Sequence, residues 1–279
     1  MIAFNGQYLD QASHGNMRIT DACLGGQWVM GGWLKTATQQ AIIAAFGAEE
    51  GIAVISRTND YLNALALTDQ TRAQQLAMFI QEDPLLVTSL VETSKTRWLV
   101  GDGKAWINTG VKGNNPIDIQ IDVMFESFTS SFSVLSARKS NYRFYACFID
   151  SQKWCVPVGT DWTSVGAPVI KKSYRINTSF TSSALTFAEN GTQLYTGKGV
   201  SDTDLDMSLF ARKYDNSIDS FAPSGTKVGG CILGTHNHLL PFIRNGENGM
   251  LDIISGTFHP NANTEGAFTI QITDKTPLL

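Results

Sequence analysis

The amino-acid sequence predicts a mainly β protein, with a smaller α+β domain over residues 1–90 followed by a β-sandwich over residues 91–279. Three observations carry this. Helical periodicity is confined to the stretch between Thr36 and Gln81. Beyond Thr96, short apolar runs recur about every 8–12 residues with polar turns between them. Asn-Gly pairs at 190–191, 245–246 and 248–249 supply turn residues that tolerate positive φ.

In the N-terminal domain, residues 1–35 form short extended pieces broken by Gly25-Gly26 and Gly31-Gly32, with a strand over 27–30. Thr36 or Thr38 caps a helix that carries Ile42, Ile43 and Phe46 on one side and stops at Gly47. The run Ile52-Ala53-Val54-Ile55 predicts a buried strand over 51–56. A second helix spans about 59–67, and Thr68 caps a third over 69–81, which Pro84 ends. Residues 59–84 have helix–turn–helix spacing. The third helix offers one arginine, Arg72, where a DNA-reading helix exposes several basic side chains, so the pair is a packing device. The polar run 91–96 marks the boundary between domains.

The sandwich domain shows its clearest strand over 117–125. Ile117, Ile119, Ile121, Val123 and Phe125 face one way, and Asp118, Gln120 and Asp122 the other. Further strands are predicted over 132–137, 142–149, 154–158, 174–178, 184–188, 193–196, 207–212, 250–254 and 267–272, with Ser255-Gly256 and Ser224-Gly225 as turns.

The segment IRNGENGMLDIISGTFHPNANT (residues 243–264), the run KAWINTGVK (104–112) and the phrase Leu209-Phe210-Ala211-Arg212 carry a resemblance. The stretch from Val91 to Leu279 resembles the concanavalin A-like (laminin-G-like) sandwich modules of structural proteins from phages of gut Bacteroidetes. That resemblance implies two stacked antiparallel sheets with jelly-roll connections, and a place in a virus particle.

Composition narrows the function classes. Hydrophobic residues make up 43% and charged residues 16% of the chain, which is globular and not disordered. The net charge of −4 argues against nucleic acid as a partner, because phosphate binding needs clustered Lys and Arg. No apolar run approaches the ~20 residues that span a bilayer. Met1-Ile2-Ala3-Phe4-Asn5-Gly6 lacks the basic and apolar regions of a secretory leader, so the chain is expected to stay in the cytoplasm or to leave it by a route that needs no signal; the resemblance implies a virion made in the host cytoplasm. Cys23, Cys147, Cys155 and Cys231 show no CxxC spacing and are expected to be buried thiols, although Cys147 and Cys155 have hairpin spacing.

Candidate sites are few. Glycosidases on this kind of sandwich need two facing carboxylates. The sequence offers Asp118-x-x-x-Asp122, which any solvated strand face also presents, so no catalytic residue and no cofactor are assigned. Asp202-x-Asp204-x-Asp206 lacks the glycine and terminal glutamate of a calcium loop and is expected to be a solvated turn. His236 and His238 would share a strand face at i and i+2 and could contribute to a metal site on a threefold axis, against the plainer reading of two exposed loop histidines. His14 and His259 receive no role. For glycan binding, Trp162 in the loop-like stretch 159–164 is the best exposed ring. It stands beside Asp161, and Tyr214 is a second candidate; Trp154, Tyr142, Tyr145 and Tyr195 are more often packing.

The expected function is that of a phage virion structural protein, not an enzyme. Residues 1–90 would anchor it to other virion proteins, and the sandwich would be displayed for host-surface or glycan binding, most simply as a homotrimer that gains avidity. The alternatives are a capsid, neck or tail component whose sandwich binds only virion proteins, or a polysaccharide-degrading enzyme.

Overall fold

The computed structural model describes residues 33–139, 142–158, 161–200, 202–215 and 217–275, with backbone alone at 142, 143 and 145 and in short strands between Ala3 and Gly31. Two of those short strands, Thr20–Leu24 and Gln27–Gly31, pair antiparallel. The expectations for the side chains of His14, Cys23, Trp28, Tyr142 and Tyr145, and for Gly159 and Thr160, lie outside the described residues. The chain divides into two compact units, Met1–Thr96 and Arg97–Leu279.

The first unit is built on α1 (Thr36–Phe46), α2 (Ala48–Ala66), α3 (Gln70–Glu82), a 3₁₀ turn at Pro84–Leu86 and α4 (Val87–Leu90). The strand expected over 51–56 is instead the first half of α2. Its β-branched residues read as a strand locally. In the helix, Gly51, Val54, Ile55, Thr58 and Leu62 recur three or four apart and bury one face. Gly51 is a point of close approach, because a Cβ there would lie 2.7 Å from Ile43 Cα. Gly47 ends α1 with φ 83°, as its position predicts. The third helix is capped by Asp69, not Thr68. Asp69 Oδ1 accepts from the Arg72 N–H at 2.9 Å, while Thr68 Oγ1 turns back to Leu65 O.

The second unit is a two-sheet jelly-roll sandwich. In chain order its strands are β1 (Lys95–Gly101), β2 (Ile107–Lys112), β3 (Ile117–Met124), β4 (Ser131–Lys139), β5 (Tyr142–Asp150), β6 (Lys153–Val158), β7 (Asp161–Gly166), β8 (Ser173–Phe180) and β9 (Ala184–Glu189). They continue with β10 (Thr192–Lys198), β11 (Asp206–Leu209), β12 (Ala211–Tyr214), β13 (Ser217–Phe221), β14 (Lys227–Leu233), β15 (Asn237–Arg244), β16 (Glu247–Asp252), β17 (Phe258–His259) and β18 (Phe268–Asp274). One sheet runs β7-β6-β5-β4-β11-β2, with β12 and β13 attached beside β4. The other runs β10-β9-β8-β3-β14-β15-β16-β17, with β1 beside β14 and β18 beside β1.

Three local expectations change. The stretch 207–212 is two strands, split where Phe210 adopts φ 66°. That left-handed residue lets the chain leave antiparallel pairing with β4 and rejoin it in parallel through Tyr214 and Arg138. Asn248-Gly249 lies inside β16, where a Cβ on Gly249 would sit 2.5 Å from His259 O, so this glycine serves close approach and not a turn. The loop-like stretch around Trp162 is the edge strand β7. The division between the two units falls at the end of the polar run 91–96, whose last two residues open β1.

The core lies between the sheets. Trp154 on β6 is fully buried, and its ring meets Phe125 at 5.7 Å, Tyr174 at 5.5 Å and Phe187 at 6.0 Å. Its Nε1 donates to Glu189 Oε2 at 2.7 Å. Cys147, Cys155 and Cys231 are buried free thiols, so Cys147 and Cys155 are not paired; burial pushes the thiols of Cys147 and Cys231 far above their usual range. Replacing Trp154 with Ala is expected to cost about 3–5 kcal/mol of unfolding free energy in urea titrations, through the cavity it leaves and the stranded Glu189. An unchanged denaturation midpoint would refute the central role given to this ring.

Candidate functional site

The alternation that buries Ile119 and Ile121 turns Asp118, Gln120 and Asp122 outward from β3. Antiparallel pairing then places like beside like. One row across the outer face of the larger sheet reads Asp118 (β3), Ser179 (β8), Thr186 (β9) and Thr196 (β10). The next row reads Ile232 (β14), Gln120, Asn177, Ala188 and Gln193. Adjacent strands are about 4.8 Å apart and successive rows about 6.8 Å. Apart from Thr196, the two rows line a depression of about 370 Å³ bounded at one end by Gly234. Its hydrogen-bonding side chains are Asp118, Gln120, Asn177, Ser179, Thr186 and Gln193.

The third row closes the polar field with an ion pair. Arg175 of β8 grips Asp122 of β3 through Nε at 2.7 Å and a terminal nitrogen at 2.8 Å. The Asp122 carboxylate raises the guanidinium's pKa above its usual value by accepting these bonds. Asn190, in the β9–β10 turn, holds the same place in the backbone: its N–H donates to Arg175 O and its Oδ1 accepts from Arg175 N–H, each at 2.8 Å. Asn190 and Gly191 have φ 49° and 81°, as the Asn-Gly signal requires. Asp118 and Asp122, four residues apart on one strand, have Cα atoms about 13–14 Å apart. That exceeds the ~5–9.5 Å between the carboxyl pairs of glycosidases.

The residues expected from sequence fall elsewhere. Trp162 and Asp161 lie on β7, at the edge of the smaller sheet. Trp162 is half-buried, packing edge-on against Phe148 at 5.5 Å in a small cluster with Cys155. Asp161 Oδ1 accepts from the Trp162 N–H at 2.9 Å. Tyr214 lies on β12, four strand positions from β7 and so about 19 Å across the sheet, with the Arg138 guanidinium 4.6 Å over its ring. The fold therefore does not bring Trp162 and Tyr214 into one site.

His236 is an exposed residue of the β14–β15 turn, whereas His238 is on β15 with its N–H donating to Asp252 Oδ1 at 2.9 Å. The strand begins after His236, so the two histidines do not share the strand face their spacing suggests. Among the described residues no group of three or more His, Cys, Asp or Glu is placed to hold a metal ion. Asp204 and Asp206 are engaged across the strand ends, Asp204 with Asn114 at 3.0 Å and Asp206 with Lys112 at 2.7 Å. Lys112 holds the Asp206 carboxyl below its ordinary pKa. No helix among the described residues is long and apolar enough to cross a membrane.

A scan against protein-family profiles finds no match, and neither does a search of curated proteins. Among solved structures, the chain is similar to a Bacteroides ovatus protein named as carbohydrate-binding, at TM-score 0.47 and 9% identity, over 65% of this chain and 60% of that one. It is similar to mouse laminin α1 domains LG4-5 at TM-score 0.36 and 9% identity, over 65% of this chain and 45% of that one. It is also similar to the Caenorhabditis elegans galectin LEC-6 at TM-score 0.33 and 13% identity, over 50% of this chain and 96% of that one.

Because Trp162 packs on Phe148, its replacement by Ala is expected to lower unfolding free energy by about 2 kcal/mol, from lost apolar burial and the lost ring pair. A thermal melt indistinguishable from that of the parent would show the ring to be free for a ligand.

Proposed function

We propose that the sandwich binds neutral polyhydroxylated ligands, and glycans foremost, in the depression on the outer face of its larger sheet. The single observation behind this is the register that sets six hydrogen-bonding side chains around about 370 Å³. Amides, hydroxyls and a carboxylate at this spacing offer both donors and acceptors, which is what a sugar's hydroxyls need. Aromatic stacking has no part in the reading, since the lining contains no aromatic residue. Binding without catalysis is favoured by the carboxylate geometry: Asp122 is held by Arg175 and stands too far from Asp118 for a paired acid and base.

The wider setting belongs to the same proposal. The resemblance of residues 91–279 to phage sandwich modules supports a virion protein made in the host cytoplasm, anchored to other virion proteins by residues 1–90 and displaying the sandwich outward. Assembly as a homotrimer would repeat the site. Light scattering is then expected to give three times the 30.4 kDa chain mass. A monomer at micromolar concentration would remove the trimer from the proposal and leave the groove untouched.

The groove is tested with Gln120→Ala and Asn177→Ala in the full chain, assayed on immobilised oligosaccharides. Each is expected to weaken binding about 3–10-fold, the worth of a hydrogen bond, while the melting temperature stays within about 2 °C. Undiminished binding in both variants would place the ligand elsewhere.

A further inference from the structure

Resting on the glycan reading, we infer that the groove discriminates by charge: it accepts neutral or amine-bearing sugars and rejects carboxylated or sulfated ones, with Asp118 as the discriminating residue. Asp118 is exposed, projects from β3 into the depression, and lines it together with Gln120 and Asn177. Among the described residues its carboxylate has no hydrogen-bond or ion-pair partner. It stands in the row of Ser179 and Thr186, and no basic side chain lines the depression.

The cations that could cancel this charge are spent or remote. Arg175, two rows along the face, is clamped by Asp122 through two hydrogen bonds, so the pair adds little net charge. Lys198 pairs opposite Ala184, one row beyond Thr196 and three strands from Asp118. That puts it about 16 Å away, beyond the ~8–10 Å over which charges act through physiological salt. A sugar carboxylate entering the depression therefore meets a bare carboxylate. Vicinal hydroxyls or an ammonium group meet a charged acceptor, the stronger kind of hydrogen-bond partner.

The test compares three probes on the full chain by isothermal titration at pH 8 and about 0.15 M salt, where charges beyond ~8–10 Å are screened. They are a neutral manno-oligosaccharide, the same oligosaccharide bearing an alkylammonium group that stays charged at pH 8, and an oligogalacturonate of similar length. The parent protein is expected to bind the oligogalacturonate at least about tenfold more weakly than the better of the other two. Asp118→Asn should shrink that ratio towards one, and Asp118→Lys should invert it. Gln120→Ala should weaken the favoured sugar and leave the ratio in place. Equal or tighter binding of oligogalacturonate by the parent, or a ratio that Asp118→Asn leaves intact, overturns the charge inference while the groove stands. Absence of binding to all three probes overturns the glycan reading, and this inference with it.

Discussion

The packing of Trp154 is the interaction on which the rest of the sandwich depends. Its ring belongs to the smaller sheet, yet three of its aromatic neighbours come from the other side: Phe125 just after β3, Tyr174 on β8 and Phe187 on β9. Phe132 on the smaller sheet closes the cluster against Phe125 at 5.8 Å. A buried indole must find an acceptor for its N–H, and Glu189 provides it at the end of β9. One residue thus fixes both the spacing of the two sheets and the position of β9 along its axis. Because side chains alternate along a strand, fixing Phe187 inward fixes Thr186 and Ala188 outward.

The outer face is therefore a consequence of the core. Once Ile119, Ile121, Tyr174, Ile176 and Phe187 are committed to the interior, the residues between them have no choice of side. Asp122 and Arg175 meet because Ile121 and Ile176 pair across the strands. The pair is a surface one, with side chains 29% and 46% exposed, so its worth in stability is small. Its structural effect is positional: together with the two backbone bonds of Asn190, it ties β3, β8 and the β9–β10 turn at one level. The depression begins one row below.

Much of this was legible in the sequence, for physical reasons that differ from element to element. The alternation of 117–125 and the turn at Asn190-Gly191 announce themselves, because period-2 burial and positive φ leave marks on neighbouring residues. Helix α2 hides its first half, because the run Ile52-Ala53-Val54-Ile55 satisfies strand propensity locally, and its helical face shows only where Gly51 meets Ile43 of α1. Gly249 imitates a turn residue, although its small size serves the approach of β17. The groove itself was half legible: Asp118 and Gln120 were recognisable as an outward face of β3. Asn177, Ser179, Thr186 and Gln193 belong with them only through strand order and register, which no single strand encodes. The exposed ring that the sequence offers is Trp162, and its strand lies at the edge of the other sheet.

The absence of an aromatic platform in the groove has a further consequence for the proposed interaction. Net hydrogen bonds contribute about 1 kcal/mol each, whereas association costs several kcal/mol of lost freedom before any surplus appears. A depression that relies on six polar side chains and has no aromatic ring therefore makes a weak single site, nearer millimolar than micromolar on the affinity scale. Weak sites become effective when several are presented together, since each later engagement is intramolecular and gains an effective concentration set by the tether. The same weakness makes charge a strong discriminator. Where neutral hydrogen bonds leave so small a margin, one uncompensated carboxylate at Asp118 is enough to decide which ligands stay.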